Sequence, residues 1–260
     1  MEVVILPSAT EVGVLAARKI VRLVARKPDA VLGLATGSSP LAIYAALAAH
    51  SRDGTLDVRG VSAFALDEYV GIPADHPESY ASVIHREVTE PLHLDPARVH
   101  VPDGRAADLE AAGGRYEEAI RAAGGVDLQI LGIGANGHVG FNEPTSSFAS
   151  RTRIKTLTER TRADNARFFD SIDEVPTHCL TQGLGTIMDA REVLLVAQGR
   201  PKAAAVAAAV EGPVTSMCPA SLLQHHRRAT VMVDEDAAAD LRLAEYYRWT
   251  YAHKPAWQQL

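Results

Sequence analysis

A chain of 260 residues, 47% of them hydrophobic, can bury a substantial core and is far too apolar to be disordered. Its 26 lysines and arginines stand against 32 aspartates and glutamates, a net charge of −6. That balance excludes the extended cationic footprint of a nucleic-acid binder, so any anion must be held locally.

No apolar run reaches the roughly 18 residues that span a bilayer, because Arg18, Lys19, Arg22 and Arg26 interrupt the first helical stretch. The opening MEVVILPSATEVG lacks the charged, apolar and small-residue succession of an export signal, which predicts a cytoplasmic protein without a membrane partner. Cys179 and Cys218 cannot form a metal cage by themselves and read as buried or half-buried thiols of a reduced compartment.

Short apolar runs rich in β-branched residues alternate with amphipathic or alanine-rich segments along the chain. VVIL (3–6) reads as the first strand, with Thr10 as the cap of the helix behind it. AVLGLA (30–35) is the second, followed by the turn LATGSSPLAIY (34–44), with Pro40 suited to a first helical turn. VSAFAL (61–66) ends at Asp67 and Glu68, where a Gly/Pro-containing loop begins, and LQILGI (128–133) runs into GANGHVGFNEP. Residues 144–190 show no strong strand except RIKTLT (153–158), which predicts an excursion beside the sheet. VLLVA (193–197), the helix former KAAAVAAAV (202–210) and ATVMV (229–233) complete the rhythm. The alternation predicts an α/β fold: a three-layer, mostly parallel, doubly wound, Rossmann-like sheet with helices on both faces, in one domain over 1–260.

Ligands of such sheets bind beyond the carboxyl ends of the strands, and three of those ends carry reactive residue types. Thr36, Gly37, Ser38 and Ser39 offer hydroxyls and backbone N–H groups at a helix start, a phosphate cradle or simply a capped turn. The string is neither a P-loop nor a dinucleotide fingerprint. Asp67 is placed to act as a general base on a carbon acid, or to cap a turn. His138, among glycines, is a proton carrier for neutral pH, and Glu143 five residues later can orient and charge it. Arg167 and Lys202 are cations that can close a phosphate clamp or remain solvated. His225 and His226 have no ligand-like spacing, so no metal is predicted.

These strings resemble one family over essentially the whole chain: LDEYVGIPADHPESY, GIGANGHVGFNEP, SSFASRTRIKTLT, TGSSP, NARFFD, LTQGLGTI and QGRPKAAAVAAAVEG are similar to the glucosamine-6-phosphate deaminases. The resemblance implies conversion of glucosamine 6-phosphate to fructose 6-phosphate and ammonia without a cofactor. It implies Asp67 as the base between C2 and C1, His138 as the ring-opening proton carrier and Glu143 as its support. Ser38, Ser39, Arg167 and Lys202 fall on the family's phosphate-binding positions; Thr36 and Gly37, in the same turn as the serines, are read as further substrate or phosphate contacts. Asn136 stands where some members carry an aspartate; an amide orients a partner but bears no charge.

Some members are activated by N-acetylglucosamine 6-phosphate at a subunit interface, and the matching positions are Ser146, Arg153, Lys155, Thr156 and Tyr246. The family includes monomers and hexamers. The alternatives are a 6-phosphogluconolactonase-like hydrolase, for which FNEP and LDEY are not expected, and a non-catalytic sugar-phosphate sensor, for which no DNA-binding segment is evident.

Overall fold

The computed structural model describes residues 1–258. Strand β1 (Glu2–Leu6) feeds helix α1 (Ala9–Arg26), whose start is fixed by Ser8. The Ser8 hydroxyl accepts the Glu11 N–H at 3.3 Å and donates to the Glu11 carboxylate at 3.0 Å. The cap is therefore Ser8 and not the expected Thr10, because Ser8 has an extended backbone and a glutamate three residues on. There follow β2 (Val31–Leu34), α2 (Leu41–Arg52), β3 (Ser62–Ala65) and β4 (Asp67–Tyr69). Helix α3 (Tyr80–Ile84) passes through a π-turn at His85–Thr89 into α4 (Glu90–Leu92). Then come β5 (Val99–His100), α5 (Leu109–Ala122), β6 (Leu128–Leu131), β7 (Arg153–Thr156), α6 (Glu159–Asn165) and β8 (His178–Thr181). The chain continues with α7 (Leu184–Met188), β9 (Glu192–Ala197), α8 (Ala203–Val210), β10 (Ala229–Asp234) and α9 (Ala244–Ala252).

Seven strands form one parallel sheet in the order β1-β10-β9-β6-β2-β3-β5. Every residue of β2 and β6 is buried, as apolar strands covered on both faces must be. From β2 the chain adds strands outward through β3 to β5; it then returns to β6, on the other side of β2, and builds outward through β9 and β10. That reversal leaves a crevice over the carboxyl ends of β2 and β6. Helices α1 and α2 pack closely because Gly13 has no Cβ, which would lie 2.6 Å from Ala42.

A second, antiparallel sheet stands beside the first in the order β4-β8-β7. Of its strands only β7 was expected. Strand β4 is DEY and β8 is HCLT, short segments whose acids, histidine and cysteine do not read as strand formers; they become strands by pairing with each other. Asp67 is thus the first residue of a strand and not of a loop, because only Leu66 separates β3 from β4. The Leu66 N–H donates to Leu34 O at 3.0 Å in the large sheet, and its carbonyl accepts the Gln182 N–H at 2.8 Å.

The excursion is held by Glu117 of α5. One of its carboxylate oxygens accepts the Thr152 N–H at 2.8 Å and the Thr152 and Thr186 hydroxyls at 2.5 Å, while the other takes Arg151 at 2.5 Å. Burial alone would raise this carboxyl, but the threonines and Arg151 outweigh it and hold it below the ordinary glutamate value. A depressed carboxyl contributes stability that is present above its ordinary pKa and lost as pH falls through the native one. Glu117→Ala should therefore cost about 2–4 kcal/mol at neutral pH, and urea titrations should find a smaller difference between variant and native protein near pH 3.

Candidate active site

The crevice at the reversal point is a cleft of ≈ 300 Å³, the lower end of the range for small-molecule sites. Thr36, Gly37, Ser38 and Ser39 line one wall as the turn between β2 and α2, and Gly37 takes a positive φ of 87° that favours glycine. The turn delivers the amino end of α2 to the cleft, where backbone N–H groups and the helix dipole favour an anion. Gln198 Nε2 pins the turn by donating to Ser39 O at 3.1 Å.

Lys202 and Arg167 approach the same wall from separate elements, the start of α8 and the single turn after α6. Burial lowers the pKa of the Lys202 ammonium, with Asp164 opposing and Arg167 adding to the shift. Its Nζ donates to Ile133 O at 2.7 Å, which ties the cation to the loop after β6. Arg167 is exposed and its guanidinium lies 4.7 Å from the centre of its neighbour's ring, Phe168.

Asp67 also lines the cleft and is buried, with Thr181 Oγ1 at 3.4 Å from its Oδ2. The same Thr181 hydroxyl accepts the Phe141 N–H at 3.2 Å and so joins β8 to the glycine loop. Burial, and after it the Glu68 charge, pushes the Asp67 carboxyl up to about 7, against the pull of Thr181 and the Phe141 N–H. A carboxyl titrating there is matched to base catalysis near neutral pH.

His138 lies on the loop after β6. Its ring rests on Gly134, where a Cβ would fall 2.2 Å from Cε1, so only glycine admits the imidazole there. Nδ1 faces Glu143 Oε2 at 3.6 Å, an ionic contact just beyond hydrogen-bonding range. Asn136 bridges the pair: Nδ2 donates to Glu143 Oε2 at 2.7 Å, and Oδ1 accepts the backbone N–H of His138 at 3.2 Å. The amide therefore shapes the loop and aims the carboxylate, rather than accepting a proton from the ring. Asn136 and Glu143 stand behind His138 and do not line the cleft.

The second Glu143 oxygen accepts the hydroxyls of Thr161 and, at 3.2 Å, Thr158. Burial would raise this carboxyl, yet His138, Thr161 and Asn136 outweigh it and hold it at about 2.

Sequence reasoning missed Thr158, Thr161 and Thr181, and the aromatic wall of Tyr80, Phe141 and Phe169. One signal was available: Thr158 caps α6 by accepting the Thr161 N–H at 3.2 Å, a spacing visible in TLTERT. The five positions matched to effector binding divide. Arg153, Lys155 and Thr156 lie on β7, and Arg153 donates to Asn142 Oδ1 at 2.8 Å. Ser146 is buried in the turn after Glu143, its N–H donating to Glu143 O at 3.0 Å. Tyr246, on α9, lines another cleft with Lys19, Glu192 and Arg228, at the amino ends of the strands.

Residues 8–232 match the family described as glucosamine-6-phosphate isomerases/6-phosphogluconolactonase. The chain is 63% identical to a glucosamine-6-phosphate deaminase of Arthrobacter sp. (strain FB24), over 100% of both chains. It is 61% identical to that of Streptomyces coelicolor, over 99% of both. Among solved structures, a monomeric glucosamine-6-phosphate deaminase superposes with a TM-score of 0.90 at 42% identity, covering 92% of this chain and 100% of the other. The 6-phosphogluconolactonase from Trypanosoma brucei shares the fold, with a TM-score of 0.72 at 20% identity, over 92% and 98%.

The raised Asp67 carboxyl has a measurable sign. A group whose native pKa lies above its unfolded value adds stability that is complete below the unfolded pKa, near 4, and lost as pH rises through about 7. Asp67→Asn, which does not titrate, should gain on the native protein across that window and be the more stable by about 1–3 kcal/mol at pH 8. Melting curves at pH 4, 6 and 8 that stay parallel would refute the desolvated carboxyl.

Proposed function

The chain belongs to the family of glucosamine-6-phosphate isomerases and 6-phosphogluconolactonases, and on that premise we propose that it is a glucosamine-6-phosphate deaminase whose base is Asp67. The observation that carries this reading is a buried carboxyl near neutral pKa that shares one cleft with His138, itself backed by Glu143, and with a turn suited to a phosphate. A lactone hydrolase has no carbon-bound proton for such a base to remove.

The substrate phosphate rests on Thr36, Gly37, Ser38 and Ser39, closed by Lys202 and Arg167. His138, supported by Glu143 and aimed through Asn136, moves the proton that opens the sugar ring and exposes an aldehyde at C1. Asp67 takes the acidified C2 proton to give an enolamine, then returns a proton to C1. The resulting imine at C2 is hydrolysed by water to a ketose and ammonia. Each step is a proton transfer or addition of water, so residues with tuned pKa values suffice, each contributing on the order of 10²–10⁴-fold.

Assembly, location and control belong to the proposal as well. Among the described residues no helix is long and apolar enough to cross a membrane, consistent with work in the cytoplasm. An N-acetylglucosamine 6-phosphate site built from Ser146, Arg153, Lys155, Thr156 and Tyr246 needs a second copy of the chain, because Tyr246 sits at the far end of the sheet from the others. A monomer has no such site.

Incubation with glucosamine 6-phosphate alone should release equimolar ammonia and fructose 6-phosphate, and Asp67→Asn should lose at least 10³-fold in kcat. Well-folded protein that forms no ammonia but hydrolyses 6-phosphogluconolactone would reverse the assignment. Lys202→Met should lower kcat/KM by roughly 10–100-fold, the cost of one charge-assisted phosphate contact of about 1.5–3 kcal/mol.

A further inference from the structure

Asp67 and Glu68 are consecutive residues of β4, so their side chains leave opposite faces of the strand. Asp67 faces the cleft. Glu68 faces α3 and is buried there, its Cγ packed over Gly104, where a Cβ would come within 3.3 Å of it. Its Oε1 accepts the N–H of Tyr69 at 2.7 Å and of Tyr80 at 2.9 Å, and its Oε2 accepts the N–H of Ala81 at 2.9 Å.

Tyr80 and Ala81 are the first residues of α3, behind the Ser79 cap, where orphan N–H groups and the helix dipole favour an anion. All three contacts are made by Glu68 as acceptor. A carboxylate meets that demand; a carboxyl proton adds a donor among donors. Burial nonetheless raises the Glu68 carboxyl above the ordinary glutamate value, and the N–H groups of Tyr80, Ala81 and Tyr69 oppose that shift.

Four titratable groups facing Asp67 are neutral through the range in which it titrates. Tyr69 shares its strand, Tyr80 comes from α3, Tyr116 from α5 and Cys179 from β8, and burial pushes each of them up. Thr181 of β8 is uncharged, and His138 lies on the facing loop of the cleft. The anion next to the base is therefore Glu68, which adds to the burial that raises Asp67.

We propose that Glu68 is a positioning residue of the reaction: its charge, one residue from Asp67 on the same strand, makes Asp67 a stronger base, while its bonds to three backbone N–H groups lock β4 to α3. The second duty reaches the substrate wall, because the helix start it holds is the one that carries Tyr80 into the cleft. Carbon acids are weak, so a base made stronger by a fixed neighbouring charge gains rate at every pH where it is ionised. The proposal rests on the reading of Asp67 as the base.

The test separates the two. Aspartate-¹³C-labelled protein is titrated by NMR, the Asp67 carboxyl signal being identified by its absence in Asp67→Asn. The native protein, Glu68→Gln and Glu68→Asp are compared, with kcat/KM followed over the same pH range. In Glu68→Gln the Asp67 midpoint should fall by about one pH unit, the acid limb of kcat/KM should move with it, and kcat/KM above pH 8 should drop several-fold. Glu68→Asp retains the charge with a shorter reach, so its midpoint should stay near the native one even where lost helix contacts lower the rate. An Asp67 midpoint unmoved in folded Glu68→Gln, with activity lowered equally at all pH values, would leave Glu68 a structural cap only and overturn the proposal. If the midpoint moves but Asp67→Asn turns over like the native protein, the electrostatic inference stands and the assignment of the base falls.

Discussion

A parallel sheet that grows outward in both directions from two adjacent strands cannot place a crossover above the point where it reverses. Here those strands are β2 and β6, and the open space over their ends is the constraint on which the rest of the site depends. The turn proposed to hold the phosphate comes from one of them and the histidine loop from the other, so two parts of the cleft are built by neighbours in space that lie about a hundred residues apart in sequence. β3 lies on the other side of β2 and brings Asp67 to the same opening.

Burial sets both the reactivity proposed for Asp67 and a cost against it. A carboxyl held near neutral pKa is one whose charge the fold disfavours, and the molecule accepts that strain at the position proposed to serve proton transfer. Glu143 shows the opposite treatment behind the same cleft: two threonine hydroxyls and an amide help to hold it ionised. Two buried carboxylates are thus driven in opposite directions by what surrounds them, one toward accepting a proton and one toward keeping its own charge.

Much of this was legible in the sequence because a parallel α/β fold writes itself in local terms. Apolar runs such as LQIL and VLLV need no distant information to read as strands, and the reactive residues follow them directly. The small sheet was not legible, since DEY and HCLT become strands only through each other, across more than a hundred residues. The same limit hid Thr181 and the tie from Lys202 to Ile133, contacts fixed by tertiary packing and not by spacing. Asn136 was read as an orienting residue, but which group it orients is set by a loop geometry that spacing does not reveal.

The single residue between β3 and β4 has a consequence for mechanical precision. Leu66 is hydrogen-bonded into both sheets, so the base that follows it has the stiffness of a strand clamped at two levels, while His138 rides on a loop of glycines. Side chains mounted on strands hold position more closely than those on loops. The site therefore pairs a group clamped between strands with one fixed by its own loop, where the His138 ring packs on Gly134 and its backbone N–H is held by Asn136. In the proposed reaction the proton carried between adjacent carbons travels a path set by the sheets, and the proton that opens the ring a path set by the loop.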